Sequence, residues 1–226
     1  MKPEVFWTDQ FSSDTPLPVS TVLPAEVDVA IVGSGYTGLT AARVLAKAGS
    51  SVAVMDQYEI GWGASSRNGG MATPGLKQDI FKIHKKYGMD YAREFWRSSV
   101  DAIDLLEQII IEENIDCDWS RKGHIALACK QSHYDELPEY AAWIKKEMGH
   151  EKTIVPREEI RSEIGTDTYF GGLSDESSGG LQPAKYVNGL ARAVADLGVK
   201  LCKDTHVEKI NRNGSGHELI TSKGDM

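Results

Sequence analysis

Between Val27 and Asp56 the apolar pattern changes period twice. Val27–Val32 is a short run of small and β-branched residues, as a strand requires. Gly35–Ala48 then places apolar residues at helical spacing, and Ser51–Asp56 returns to a strand that ends in an acid. The turn between first strand and helix carries Gly33, Gly35 and Gly38, spaced G-x-G-x-x-G. In this strand–helix–strand context Ala41, Leu45, Gly49, Val52 and Val54 are the expected packing positions. Further along, Gly61–Gly75 has no period and reads as a loop. Asp79–Tyr87 and Asp90–Glu113 read as helices, the longer one with a stripe at Trp96, Val100, Ile103, Leu106 and Ile110. Gly123–Cys129 is a predicted strand, Tyr134–Met148 a helix, and Pro156–Ile164 a short helix opened by proline. Tyr169–Leu173 and Val199–Lys203 are predicted strands on either side of a helix at Ala184–Leu197. Val207–Asn211 and His217–Thr221 flank Asn213-Gly214-Ser215-Gly216, a hairpin signal.

These elements predict an α/β class protein, α+β overall. Its nucleotide-binding β-α-β domain is discontinuous, with an inserted helical and antiparallel-sheet portion. The expected division is an arm over 1–24 (Pro3, Pro16, Pro18 and Pro24, with Phe6 and Trp7 as surface anchors), a first segment of the nucleotide domain over 25–78, the insertion over 79–180, and a return over 181–226. A hairpin followed by Ser222–Met226 calls for a further strand, so the chain reads as the N-terminal part of something longer.

Composition narrows the class. The chain has 226 residues, 41% hydrophobic and 26% charged, with a net charge of −8. With no dense basic run, nucleic acid and anionic membranes are poor partners. Three cysteines, Cys117, Cys129 and Cys202, lie far apart and form no C-x-x-C pair, so they read as core thiols in a reducing compartment. No run is long enough for a membrane span and Met1–Ser20 lacks a signal-peptide core, which makes the cytoplasm the expected location.

The chemistry lies in the glycine-rich segment. Gly33 permits a tight turn, Gly35 lets a pyrophosphate approach the backbone, and Gly38 lets the helix sit close to the strand. The pyrophosphate meets a helix N-terminus, where free N–H groups and the helix dipole favour negative charge. Asp56 stands 18 residues after Gly38, where a carboxylate can accept ribose hydroxyls. The dinucleotide could be NAD, NADP or FAD. Gln57 and Tyr58 follow Asp56 with no arginine for a 2′-phosphate, which disfavours NADP. The loop Gly61-Trp62-Gly63-Ala64-Ser65-Ser66-Arg67-Asn68-Gly69-Gly70-Met71 supplies small residues, a guanidinium and a Gly-Gly pair that admits a flat ring, none of which an NAD enzyme needs.

The fingerprint, the G-A-S-S-R-N-G-G-M loop and Gly179–Val187 (G-G-L-Q-P-A-K-Y-V) resemble the FAD-dependent D-amino-acid-oxidase-like superfamily. Within it the chain is most similar to gamma-glutamylputrescine oxidases and to glycine and sarcosine oxidases. The resemblance implies FAD. It assigns N–H groups of Tyr36 and Thr37 to the pyrophosphate, Asp56 to the adenosine ribose, and Ala64 and Ser65 to the phosphate cradle, with Gln57 and Ser66 as further cofactor-binding candidates. Arg67, Asn68, Gly69, Gly70 and Met71 would run beneath the flavin ring, and the Val207 backbone would touch adenine.

The implied reaction is hydride transfer from the C–H beside an amine or amino-acid nitrogen to flavin, with dioxygen giving peroxide. Two alternatives are a dehydrogenase passing electrons to a quinone or other acceptor, and a truncated FAD-binding chain that is catalytically incomplete. No catalytic residue is assigned, because substrate groups in the resembled family come from a later part of the fold. None of the cysteines is assigned a covalent flavin link. Transfer from a neutral amine needs no strong base, so His124 and His206 read as structural or surface residues. Glu112, Glu113, Asp116 and Asp118 match no calcium-loop spacing and read as a solvated helix end rather than a metal site.

Overall fold

A computed structural model describes residues 5–11 and 16–226; Pro3 of the arm lies outside the described residues. In chain order the elements are α1 (Phe6–Asp9), β1 (Val29–Val32), α2 (Tyr36–Lys47), β2 (Val52–Met55), a 3₁₀ turn at Ala64–Ser66, β3 (Met71–Ala72), α3 (Ile80–Tyr87) and α4 (Met89–Glu112). There follow β4 (His124–Leu127), α5 (Gln131–Met148), β5 (Thr153–Pro156), α6 (Ile160–Ile164), β6 (Gly171–Asp175) and β7 (Gly179–Gly180). The last are α7 (Pro183–Asp196), β8 (Lys200–Cys202), β9 (Val207–Asn213), β10 (Gly216–Thr221) and β11 (Gly224–Asp225). They form two compact units, one of residues 1–70, 109–118 and 182–226, the other of 71–108 and 119–181.

The first unit holds a parallel sheet in the order β1-β2-β8. Val29–Val32 pair with Val52–Met55, and Ala53, Val54 and Met55 pair with Lys200, Leu201 and Cys202. All four residues of β2 are buried, as a central parallel strand demands. Beyond β8, Val19 makes an isolated parallel bridge to Leu201. Helices α2 and α7 pack together, burying Leu39 and Ala42 from one and Tyr186, Leu190, Ala191 and Val194 from the other. Ala41, expected at the packing face, is exposed; the buried positions of α2 are Leu39, Ala42 and Arg43.

A second sheet, β11-β10-β9, is antiparallel, and Asn213 and Gly216 close its hairpin as expected. Here Met55, Cys202 and Leu219 form a core joined by Leu23, Ala30, Val207 and Met226. The short strand β11 escaped the sequence reading, since two residues carry no period. Arg43, on the buried side of α2, bonds Glu112 and also Glu113 (2.6 Å), and Lys47 adds a contact to Glu113 at 2.6 Å. The acids at the end of α4 are therefore an ion-pair cluster; Asp118 likewise pairs with Lys185 at 2.9 Å. Burial and competing hydrogen bonds act oppositely on Glu113: the bond from Lys47 outweighs burial and lowers its pKa.

In the second unit β4-β6-β5 form an antiparallel sheet, and β3 pairs with β7. Two elements lie inside the expected loop over 61–75: the 3₁₀ turn in the first unit and β3 in this one. Ile80, Ile83, Ala92, Trp96 and Ile144 make its core. Asp79 caps α3, its side chain accepting from Phe81 N at 2.8 Å. Pro156 corrects an expectation: it ends β5 rather than opening a helix, and α6 starts at Ile160. β5 is an edge strand, where a missing N–H is tolerated. Of the three cysteines Cys117 and Cys202 are buried, and burial raises the Cys202 thiol, but Cys129 is exposed and is no core thiol.

Candidate functional site

The expected dinucleotide residues converge in the first unit around the end of β1. Gly33 has φ +101°, a left-handed conformation that a side chain resists, and its N–H reaches Met55 O at 2.7 Å. A Cβ on Gly38 would lie 2.0 Å from Gly33 O, so only glycine lets α2 sit this close to the turn. Gly35 is the N-cap of α2 and gives the helix no side-chain cap. The N–H of Tyr36 instead meets Ser65 Oγ at 3.0 Å, which places Ser65 at the helix N-terminus although it lies 29 positions further along the chain. Thr37 is exposed, on a face of α2 shared with Thr40, Ala41 and Val44.

Asp56 follows β2 directly. Its Oδ2 accepts from Ser34 N at 2.9 Å and Ser34 Oγ at 2.6 Å, and its Oδ1 from Tyr58 N at 3.1 Å. Ser34 Oγ also accepts from Gly61 N at 2.8 Å. Ser34, fully buried, thus joins the glycine turn, the acid and the following loop. It stands inside G-S-G and was overlooked because only the glycines of that fingerprint carry a spacing rule. Gln57 is exposed. Val207 comes within reach of this end of the sheet because Thr205 N bonds Asp56 O at 2.7 Å, two residues before β9.

The loop after β2 is built by its own side chains. Asn68 Nδ2 donates to Ala64 O and Ser65 O, both 3.1 Å, while its Oδ1 accepts from Gly70 N at 2.8 Å. Ser66 is buried, its hydroxyl facing Gly63 O at 3.3 Å. Arg67 lies with its guanidinium 3.9 Å from the centre of the Trp62 ring and its Nε on Trp62 O at 2.7 Å; the Tyr58 ring packs against the same indole at 4.3 Å, tilted by 42°. Gly69 is exposed, Gly70 buried with φ +71°. Met71 belongs to the second unit, where it is exposed on β3.

The arm reaches this loop through Trp7. Trp7 Nε1 bonds Asn68 O at 2.7 Å, and Gln182, the N-cap of α7, donates to Trp7 O at 2.8 Å. Phe6 rests edge-on against Trp7 at 5.1 Å and is itself exposed, so it is no anchor. Tyr36 and Tyr186 meet edge-to-face at 5.2 Å, and burial raises both phenols. His124 and His206 are exposed. Among the described residues no group of three or more His, Cys, Asp or Glu could hold a metal ion.

A parallel β-α-β unit with a glycine-capped helix N-terminus over a glycine turn defines a dinucleotide-binding fold of the doubly wound type. The chain belongs to the FAD dependent oxidoreductase family, DAO, which matches residues 28–225. The cofactor of that family is FAD. The chain is 34% identical over 211 residues to the probable oxidoreductase OrdL of Haemophilus influenzae, covering 92% of this chain and 48% of that protein. It is 35% identical over 199 residues to the gamma-glutamylputrescine oxidoreductase of Escherichia coli, covering 88% and 46%. The crystal structure of glycine oxidase from Geobacillus kaustophilus superposes with a TM-score of 0.72 at 25% identity, covering 88% of this chain and 52% of that one. The chain spans about half the length of the curated relatives it matches. No helix among the described residues is long and apolar enough to cross a membrane.

Proposed function

We propose that the first unit holds FAD, and that the protein serves oxidation of the C–N bond of a small amine or amino acid, of the gamma-glutamylputrescine, glycine or sarcosine kind. The observation that carries the reading is the start of α2, where the N-cap Gly35 offers no side chain and the Tyr36 N–H meets a hydroxyl oxygen rather than a carboxylate. This is the chemistry of an anion site: free N–H groups, the positive end of a helix dipole, and glycines leaving the backbone bare.

In this reading Gly33–Gly38 lie against the pyrophosphate, with N–H groups of Tyr36 and Thr37 as donors and Ala64, Ser65 and Ser66 completing the cradle. Ser65 Oγ is a neutral group that can turn from the helix to a phosphate oxygen. Asp56 has a lone pair left on Oδ1 for a ribose hydroxyl, since the described contacts there number one, from Tyr58 N. Gln57 and the Val207 backbone border the adenosine, and Arg67 through Gly70 border the flavin. Bound FAD supplies the acceptor for a hydride from the carbon beside nitrogen. The residues named position the cofactor; the amine is taken up neutral, so none of them is required as a strong base.

The kinship with a gamma-glutamylputrescine oxidoreductase and the fold of a glycine oxidase support an amine or amino-acid substrate, and dioxygen is the proposed final acceptor. The test is to titrate the chain with FAD and with NAD, then to follow peroxide under air with gamma-glutamylputrescine, sarcosine, glycine and D-alanine. FAD binding with peroxide from one of these supports the whole reading. Binding of NAD without flavin defeats it. Flavin reduction by an amine with no peroxide, but with turnover on a quinone, replaces the oxidase by a dehydrogenase.

A further inference from the structure

The second unit contains a cavity of about 190 Å³ that the flavin reading leaves unused. Its lining includes Trp96, Tyr140 and Lys152, together with Asp79 at the start of α3. The volume is below the roughly 300–1,000 Å³ of sites for drug-sized ligands, so an occupant must be small.

Lys152 is the unusual member. Its side chain is 11% exposed, nearly as buried as a core residue, yet it ends in an ammonium. One proton goes to Asp175, and the ring of Trp96 lies 5.7 Å from Nζ. Among the described residues no second acceptor meets the ammonium, which has three donors to place. Asp175 cannot take more. It is 3% exposed and already accepts from His150 Nε2 at 3.0 Å and from Ser177 N and Oγ at 3.2 and 2.5 Å. Tyr140 adds a phenol with no hydrogen-bond partner among the described residues. Burial, then the Asp79 and Asp175 carboxylates, raise its pKa, so it stays a neutral donor. An ammonium with protons left to place and a hydroxyl without an acceptor, both on one small cavity, ask for an anion. Asp79, also in the lining, engages one carboxylate oxygen at the helix cap, which leaves the other for a cation.

We propose that this cavity binds a small aliphatic amino-carboxylate, its carboxylate on Lys152 and Tyr140 and its ammonium toward Asp79. The site is independent of flavin, so its test does not depend on the proposed function. Ligand-observed NMR on the full chain without added FAD compares glycine, β-alanine and 4-aminobutyrate with butylamine, which lacks the carboxylate, and butyrate, which lacks the amine. We expect saturable binding of at least one amino-carboxylate in preference to both controls. Tyr140→Phe, which leaves Asp175 fully paired, weakens it several-fold. Lys152→Met weakens it about tenfold or more, the scale of a hydrogen bond to a charged group. Circular dichroism checks that each variant is folded; if Lys152→Met is not, Tyr140→Phe decides. No saturable binding, equal binding of either control, or unchanged affinity in the folded variants overturns the proposal.

Discussion

The indole N–H of Trp7 donates to the backbone carbonyl of Asn68 over 2.7 Å, although 61 positions separate them. Asn68 in turn bonds Ala64 O, Ser65 O and Gly70 N, so the arm holds the loop through the residue that organises it. Trp7→Phe keeps an aromatic ring, though a smaller one, and removes one hydrogen bond, worth about 0.5–1.5 kcal/mol. If the loop borders the flavin, FAD affinity falls up to roughly tenfold with little change in unfolding midpoint. Fluorescence titration with FAD reads the first quantity and urea denaturation the second.

Asp56→Ala should weaken FAD binding by about 1.5–3 kcal/mol, the scale of a hydrogen bond to a charged group. Asp56→Asn keeps an acceptor for Tyr58 N and should lose less. Equal affinity in the parent and both variants would remove Asp56 from the cofactor site.

Gly38→Ala drives a methyl to 2.0 Å from Gly33 O, which is rigid backbone rather than a flexible side chain. The helix must shift away from the turn, at the roughly 1–3 kcal/mol typical of overpacking. The variant should therefore lose both stability and FAD retention, seen as a lower melting temperature and less flavin released on denaturation.

Arg43→Met should destabilise far more than Lys47→Met. The Arg43 side chain is 8% exposed and its loss strands Glu113, itself 14% exposed, whereas Lys47 is 42% exposed. Breaking a buried pair costs about 3–5 kcal/mol, an exposed one about 0–1. Lys47 still contacts Glu113, so the lower end is expected for Arg43. Urea midpoints of the two variants decide.

Asp175 carries a pH dependence. Burial pushes its carboxyl up, but hydrogen bonds from His150, Lys152 and Ser177 outweigh that and hold it well below the usual carboxylate range. A depressed native value stabilises the fold above the unfolded value near 3.9, and the gain is lost as pH falls toward the native value. Stability should drop below about pH 4, and Asp175→Asn should make that drop shallower. It will not abolish it, because Glu107 and Glu113 shift the same way. Denaturant midpoints from pH 6 to pH 2.5 measure both slopes.

The β-α-β unit was legible because its signals are local. Gly33, Gly38 and the switch from strand to helix period lie within one short stretch, and the structure places β1, α2 and β2 within it. Long-range matters were not legible. Nothing near Arg43 announces that Glu112 and Glu113 are its partners, and nothing near Ser65 says that it meets the start of α2. Pro156 misled because proline suits both a helix start and an edge strand, and choosing requires the neighbouring strand β6. Cys129 misled because composition puts cysteine inside, while its place just past β4 faces solvent. The buried Asp175–Lys152–His150 group gave no signal, since its members reach one another only when β5 aligns with β6.

The parallel pairing of Met55 with Cys202 also sets a timetable for synthesis. The strand Val52–Met55 leaves the ribosome 147 positions before its partner is made. At roughly 5–20 residues per second that is a wait of about 7–30 s. Throughout it an apolar strand destined for full burial has β1 on one side and an open ladder on the other. Nascent chains of this protein should therefore depend on chaperone cover until Cys202 emerges, and slow translation of the inserted segment should lower soluble yield more than slow translation after it.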